Sequence, residues 1–274
     1  MSFRRIEFIG ASGIGKTTLL HALLRQRPAG EPWVTPREAV IKLARRQTCP
    51  LRANPWRAGL ALALKWNVAP RKSYGLALRI LQPLLRPARH ACGPDYEGLT
   101  NVLEDWLQTA EELSPRQQDD VRAFYRGLLD RQLLLDLGQV PEWVVDDDGL
   151  ISNNPGLAVP ETVRARLAHH PRWLEKIRPA AAIYCFLDLD EYHHRRLQKK
   201  AGRRGTFLDR NLTAGNSLGL CRRVLEGSAR KAEWLQAENT PMLALNMASH
   251  LQDNAVRAHA FIRQMVSVPP AAGI

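Results

Sequence analysis

The chain has 274 residues, 45% of them hydrophobic, enough to bury a sizeable core and too many for a disordered or low-complexity protein. Its net charge is +12 and its pI about 10.1, so its partners are sought among anions: nucleotides, nucleic acid, acidic headgroups or phosphorylated sugars. No apolar stretch reaches the roughly 18 residues of a spanning helix, Met1–Arg5 does not read as a secretory signal, and Cys49, Cys92, Cys185 and Cys221 are far apart with no CxxC pair, which points to reduced cytoplasmic thiols rather than a disulfide or metal framework.

Taken in order, Phe3–Ile9 is apolar and β-prone and ends at Gly10. Gly10-Ala11-Ser12-Gly13-Ile14-Gly15-Lys16-Thr17 then fits GxxxxGK[ST] at every fixed position, with Thr18 just behind it. Glycines at 10, 13 and 15 let the backbone curl so that successive N–H groups face one point, and the helix that follows adds its positive end. Lys16 supplies a mobile charge to the β- and γ-phosphates, and Thr17 a hydroxyl to Mg²⁺. Lys16–Gln26 carries Leu19, Leu20, Leu23 and Leu24 at helical spacing. Glu31–Thr35 reads as a second short strand, followed by Pro36, Arg37 and Glu38.

Residues 50–138 read as almost wholly helical, punctuated by Pro55, Pro70, Pro83, Pro87, Pro94 and Pro115, with Ser114–Pro115 a helix start. This is an insertion that caps the site. Trp56, Leu60, Leu62, Leu64 and Trp66 lie among Arg52, Arg57 and Lys65, and Leu76–Leu85 among Arg79 and Arg86. Such a pattern fits a subdomain packing its leucine faces together, or a basic amphipathic surface for an acidic membrane; nucleic acid ranks behind both.

Glu142–Val145 is a third short strand that runs into Asp146, Asp147 and Asp148. Asp146 follows the apolar run directly and is the expected Mg²⁺ carboxylate at the strand's carboxyl edge, with Asp147 or Asp148 as the base for an acceptor hydroxyl. Ala180–Leu187 is a buried strand, and Asp190 is placed to cap the next helix. His194–Arg210 is a basic run in which Arg195, Lys199 and Arg203, and likewise Arg196, Lys200 and Arg204, are spaced by four. With Gly202 and Gly205 it reads as a lid over about 195–210 whose cations neutralise a transferring phosphoryl group. The pairs His169-His170 and His193-His194 read as surface residues, because adjacent histidines on a helix point apart. Pro241–Leu245 is a last strand. Strands alternating with helices imply a three-layer α/β fold with a central parallel sheet and a helical insertion, one domain over 1–274.

The order of these motifs resembles the P-loop nucleoside and nucleotide kinases, thymidylate kinase-like proteins above all. Val34-Thr35-Pro36-Arg37-Glu38 is similar to that family's Arg-Glu pair after strand two. Leu187-Asp188-Leu189-Asp190 with Arg195 and Arg196 resembles its fourth strand and lid, and Pro241–Leu245 the strand before its adenine-side loop. The resemblance covers about 1–48 and 140–265. It departs where Asp-Asp-Asp replaces the usual Asp-Arg and where no Pro-Gly follows Arg37-Glu38, so a dTMP acceptor is not supported. It implies an ATP-dependent small-molecule kinase using Mg²⁺. Lys16, the three aspartates, Arg196, Arg203 and Arg204 would be catalytic, and Arg37 and Glu38 would bind the acceptor. The rival is a non-kinase NTPase acting on a protein or nucleic-acid partner. Neither an Asn-Lys-x-Asp nor a Leu-Ser-Gly-Gly-Gln element is present.

Overall fold

The structure is a computed structural model that describes residues 4–47, 70–111, 113–158, 177–201 and 217–267, without the side chains of 70–72 and 199–201. It is an α/β protein whose five parallel strands run in the order β2-β3-β1-β4-β5. The strands are β1 Arg5–Ile9, β2 Trp33–Val34, β3 Trp143–Asp146, β4 Ala181–Phe186 and β5 Met242–Asn246. The helices are α1 Lys16–Gln26, α2 Pro36–Gln47, α3 Pro70–Cys92, α4 Glu97–Thr109, α5 Pro115–Leu137, α6 Leu150–Asn153, α7 Leu189–Ala201, α8 Ser217–Ala237 and α9 Leu251–Ser267. Short 3-10 turns lie at Gly93–Tyr96 and Pro155–Ala158. Among the described residues no helix is long and apolar enough to cross a membrane.

The described residues form two compact units. One comprises residues 4–5, 32–146 and 177; the other comprises 6–31, 147–158 and 178 onward.

In the first unit β2 pairs with β3, Trp33 opposite Trp143 and Val34 opposite Val144. Val40 and Leu43 of α2, Ala77, Ile80 and Leu81 of α3, and Leu134 and Leu135 of α5 close over Val34 and Val144 in one apolar cluster. Of the prolines that punctuate this segment, Pro83 and Pro87 lie inside α3, which runs through both. Each proline removes one i→i−4 bond and costs about 3 kcal/mol in a helix interior. Both face outward, while Ala77, Ile80, Leu81 and Ala88 are buried on the other side and Leu76, Leu78, Leu84 and Leu85 pack against the same cluster, about 1.5–3 kcal/mol for each fully buried Ile or Leu and about 0.8 for each alanine methyl. Packing therefore outweighs propensity here, and it also commits the apolar face of α3 to α2 and α5. Residues 50–69, including Trp56, Leu60 and Trp66, lie outside the described residues. The helix start at Ser114 forms as a reciprocal capping box, Ser114 N–H donating to Gln117 Oε1 at 2.8 Å and Gln117 N–H to Ser114 Oγ at 3.4 Å.

In the second unit β1 pairs with β4, Ile6 opposite Ala181 through Ile9 opposite Tyr184, and β4 with β5 from Ala182–Met242 to Phe186–Asn246. Leu19 and Leu23 of α1 are fully buried, and α1 packs against α9. The leucine stripe thus fixes how the N-terminus of α1 is aimed.

Candidate functional site

The site is built at the junction of β1 and α1. The backbone takes positive φ at Gly10 (154°), Gly13 (80°) and Gly15 (116°), a region that L side chains seldom enter. At Gly10 space is a second constraint, since a Cβ there would lie 2.6 Å from the carbonyl oxygen of Cys185 in β4. Ala11 and Ile14 are buried and hold the loop to the core, while Ser12, Thr17 and Thr18 are exposed. Gly15 is the N-cap of α1 and gives it no side-chain cap, and the first turn has no acidic residue. Its leading N–H groups are therefore the kind of donors that bind an anion at a helix start.

Lys16 folds back over this loop. Its Nζ donates to Gly10 O at 2.5 Å and to Ala11 O at 3.3 Å. Burial of the amine lowers its pKa, against the raising influence of Cys185, Asp148, Asp147 and Glu7. The side chain as a whole keeps partial exposure, so it is the amine end that is desolvated. Cys185 responds in the opposite sense: burial pushes its thiol up to about 12, with the lysine opposing.

The three aspartates separate. Asp147 Oδ2 accepts the Thr17 hydroxyl at 2.6 Å, which ties the turn after β3 to the start of α1. Asp148 Oδ1 accepts from Asn153 Nδ2 at 2.7 Å. Asp146, the carboxylate that sequence position selects for the metal, is buried in the first unit, where the Arg131 guanidinium of α5 reaches its two oxygens at 3.0 and 3.3 Å. The strand's last residue turns to the helix layer, and the residue after it reaches the loop. Alternation of side chains along the strand puts neighbours on opposite sides.

A further carbonyl of the loop is anchored twice from outside it. Ser12 O accepts from Tyr192 Oη at 2.7 Å and from Arg196 Nη1 at 3.1 Å, both from α7. Arg196 is fully buried and acts on the loop's backbone, whereas the basic stripe suggested a lid cation. Its neighbour Arg195 bonds Glu191 and, at 3.0 Å, Met247 O beyond β5. Arg203 and Arg204 lie outside the described residues, as do the side chains of Lys199 and Lys200. His193 and His194 go to different partners, Ser217 Oγ and Gln198 Nε2. In the first unit Glu38 forms a reciprocal capping box with Thr35 at the start of α2, and the Arg37 guanidinium lies 5.7 Å from the centre of the Tyr74 ring.

Beside the loop is a cavity of about 460 Å³ lined by Gly13, Gly15, Thr18, Arg195, Met247 and Leu251. Among the described residues Arg195 is its cation, and with Gly13, Gly15 and Thr18 in its lining it adjoins the N-terminus of α1.

Sequence reasoning missed Glu7, Ser152, Tyr192, Lys231 and Arg131. Glu7 in β1 is fully buried, and its Oε1 accepts Ser152 N–H at 2.8 Å. Ser152 Oγ donates to Gly10 O at 3.4 Å, and Lys231 Nζ of α8 donates to Ser152 O at 2.9 Å. A carboxylate inside RIEFI and an arginine inside LLDRQLLLDL are charges in apolar runs, a signal that was there to be read. Ser152 and Tyr192 carry no such local mark.

No protein-family model matches the chain, and no curated protein matches it in sequence.

Proposed function

We propose that the chain is an ATP-dependent phosphotransferase, a small-molecule kinase built on a P-loop fold. The observation that carries this reading is the loop: three positive-φ glycines, a lysine amine over its own carbonyls, an open helix start, and Thr17 bonded to Asp147. Loop N–H groups and Lys16 would hold the β- and γ-phosphates. The cavity bordered by Arg195, Met247 and Leu251 is large enough for a nucleobase.

The donor set fits Mg²⁺, which takes one or two protein oxygens and fills its octahedron with phosphate and water; Thr17 Oγ1 and Asp147 Oδ2 supply that pair. Thr17 and Asp147 would hold the ion, which when bound would supply positive charge against the negative charge that develops on transfer. Asp148, oriented by Asn153, is the base that takes the acceptor proton. Arg196 and Tyr192 keep the loop amides aimed by holding the Ser12 carbonyl.

Calorimetry with Mg-ATP on the wild type and K16A tests the binding half. Binding that is lost in K16A is expected, and no uptake of any nucleoside triphosphate by the wild type overturns the reading. ADP release measured with and without a panel of hydroxyl and phosphate metabolites tests the transfer half. Acceptor-stimulated release is expected. Steady release stimulated by nucleic acid or protein instead would favour a non-kinase NTPase.

A further inference from the structure

A lysine lies buried beneath the phosphate loop with no part in the chemistry above. Lys231 of α8 is 6% exposed, and its amine donates to Ser152 O at 2.9 Å. The same Ser152 gives its N–H to the fully buried Glu7 and its hydroxyl to Gly10 O, the oxygen on which Lys16 also sits. One residue of α6 therefore links a buried cation, a buried anion and the first carbonyl of the loop. The arrangement is closely packed, since any Cβ at Gly149 would overlap the Glu7 carboxyl group. A buried lysine is costly unless something uses it.

Resting on the nucleotide reading, we propose that Lys231 is a further residue of the phosphate site. It anchors the 149–153 turn through Ser152 and shares the field of Glu7 with Lys16. A polyphosphate that draws Lys16 off Gly10 and Ala11 is then answered by a proton taken up on Lys231. Two lysines and one carboxylate meet here, so the second lysine is held partly neutral until negative charge arrives.

Among the described residues the groups facing it are few. Glu7 from β1 and Lys16 from α1 act on Lys231 directly. Helix α8 also packs on α7, β4, α6 and the Pro155–Ala158 turn. Of their titratable groups, His193 bonds Ser217, Tyr184 feels Glu233, and Cys185 faces Lys16. Burial first, and then the Lys16 charge, push the Lys231 amine down to about 7, with Glu7 opposing. Its titration is thus brought close to neutral pH, and added negative charge drives it toward full protonation.

The test is calorimetry of Mg-ATP at pH 7 in buffers of different ionisation enthalpy, on the wild type, K231M and K231R. If binding raises the proton affinity of Lys231 about tenfold, the wild type takes up about 0.4 proton more than either variant. Subtraction removes the ligand's own protonation. K231M is expected to bind about tenfold more weakly, a loss of the order of one buried charged hydrogen bond, and K231R near the wild type but without the uptake. Equal proton counts in all three, with binding intact, overturn the proposal while leaving the nucleotide reading standing. Absence of binding by the wild type overturns both. Should K231M fail to fold by circular dichroism, K231R against the wild type decides the same question.

Discussion

Gly149→Ala isolates the packing beneath the glycine loop. The residue has φ −83° and ψ 172°, extended backbone that alanine adopts without strain. Its cost therefore comes from one neighbour, since the new methyl would overlap Cγ, Cδ and Oε1 of Glu7. Glu7 is fully buried and has no solvent to retreat into. Displacing its carboxylate from Ser152 N–H forfeits a hydrogen bond to a charged group, about 1.5–3 kcal/mol. Overpacking adds about 1–3 kcal/mol. The expected loss is about 3–5 kcal/mol, a large fraction of a domain's stability. In the background Glu7→Ala the methyl meets a gap. There the same substitution should stabilise by about 0.4–1 kcal/mol, the usual gain for Gly→Ala at a compatible site. The assay is a double-mutant cycle in urea, followed by far-UV circular dichroism and by tryptophan fluorescence, with coincident transitions required. An equal cost of Gly149→Ala with and without Glu7 would refute the reasoning.

Arg131→Met removes the partner of a buried carboxylate and should cost about 3–5 kcal/mol in urea melts, while R131M/D146N should cost clearly less than the two single changes summed. Thr17→Ala and Asp147→Asn should each leave the melting temperature nearly unchanged and weaken Mg-ATP binding by about 10–100-fold, with binding of ATP in EDTA much less affected; an equal loss in both conditions would remove the metal role. Lys231 has a folded pKa of about 7, below the value of about 10.4 in an unfolded chain, so the unfolded state binds more protons between those limits. Wild-type stability should therefore rise with pH from about 7 to 10 more steeply than that of K231M, by up to about 1.4 kcal/mol per unit, and matching slopes would contradict the burial-induced shift.

The loop was legible from sequence because its constraint is local. Glycine is the residue that tolerates φ of 80–154° at 13, 15 and 10, and the Leu19–Leu23 stripe that directs α1 repeats within one helix. The parallel α/β arrangement was legible for the same reason, since strand and helix periods alternate along the chain. What the sequence could not rank was three adjacent aspartates. Asp146 goes to Arg131, fifteen residues back on α5, Asp147 to Thr17, 130 residues away, and Asp148 to Asn153. Only the three-dimensional partner distinguishes them. Arg196 misled for a related reason. A four-residue spacing of cations marks one face of a helix but does not say whether that face looks outward, and here it brings Arg196 under Ser12.

Arg131 apart, the partners missing from the sequence reading act on loop carbonyls, directly or through Ser152. Ser12 O is held twice from α7, by Tyr192 and Arg196. Gly10 O is held by Lys16 and also by Ser152. The two holds on Gly10 are not equivalent. On the proposed reading Lys16 would leave Gly10 O and Ala11 O to reach a phosphate, exchanging those hydrogen bonds for charge-assisted ones to the ligand. Ser152 stays, because its amide is fixed on Glu7 and its carbonyl on Lys231. A loop held by Lys16 alone would lose its shape at the moment it was needed. On that reading the buried Glu7–Ser152–Lys231 chain would remove the conflict, a physical reason for two ionisable groups in a place where burial disfavours both.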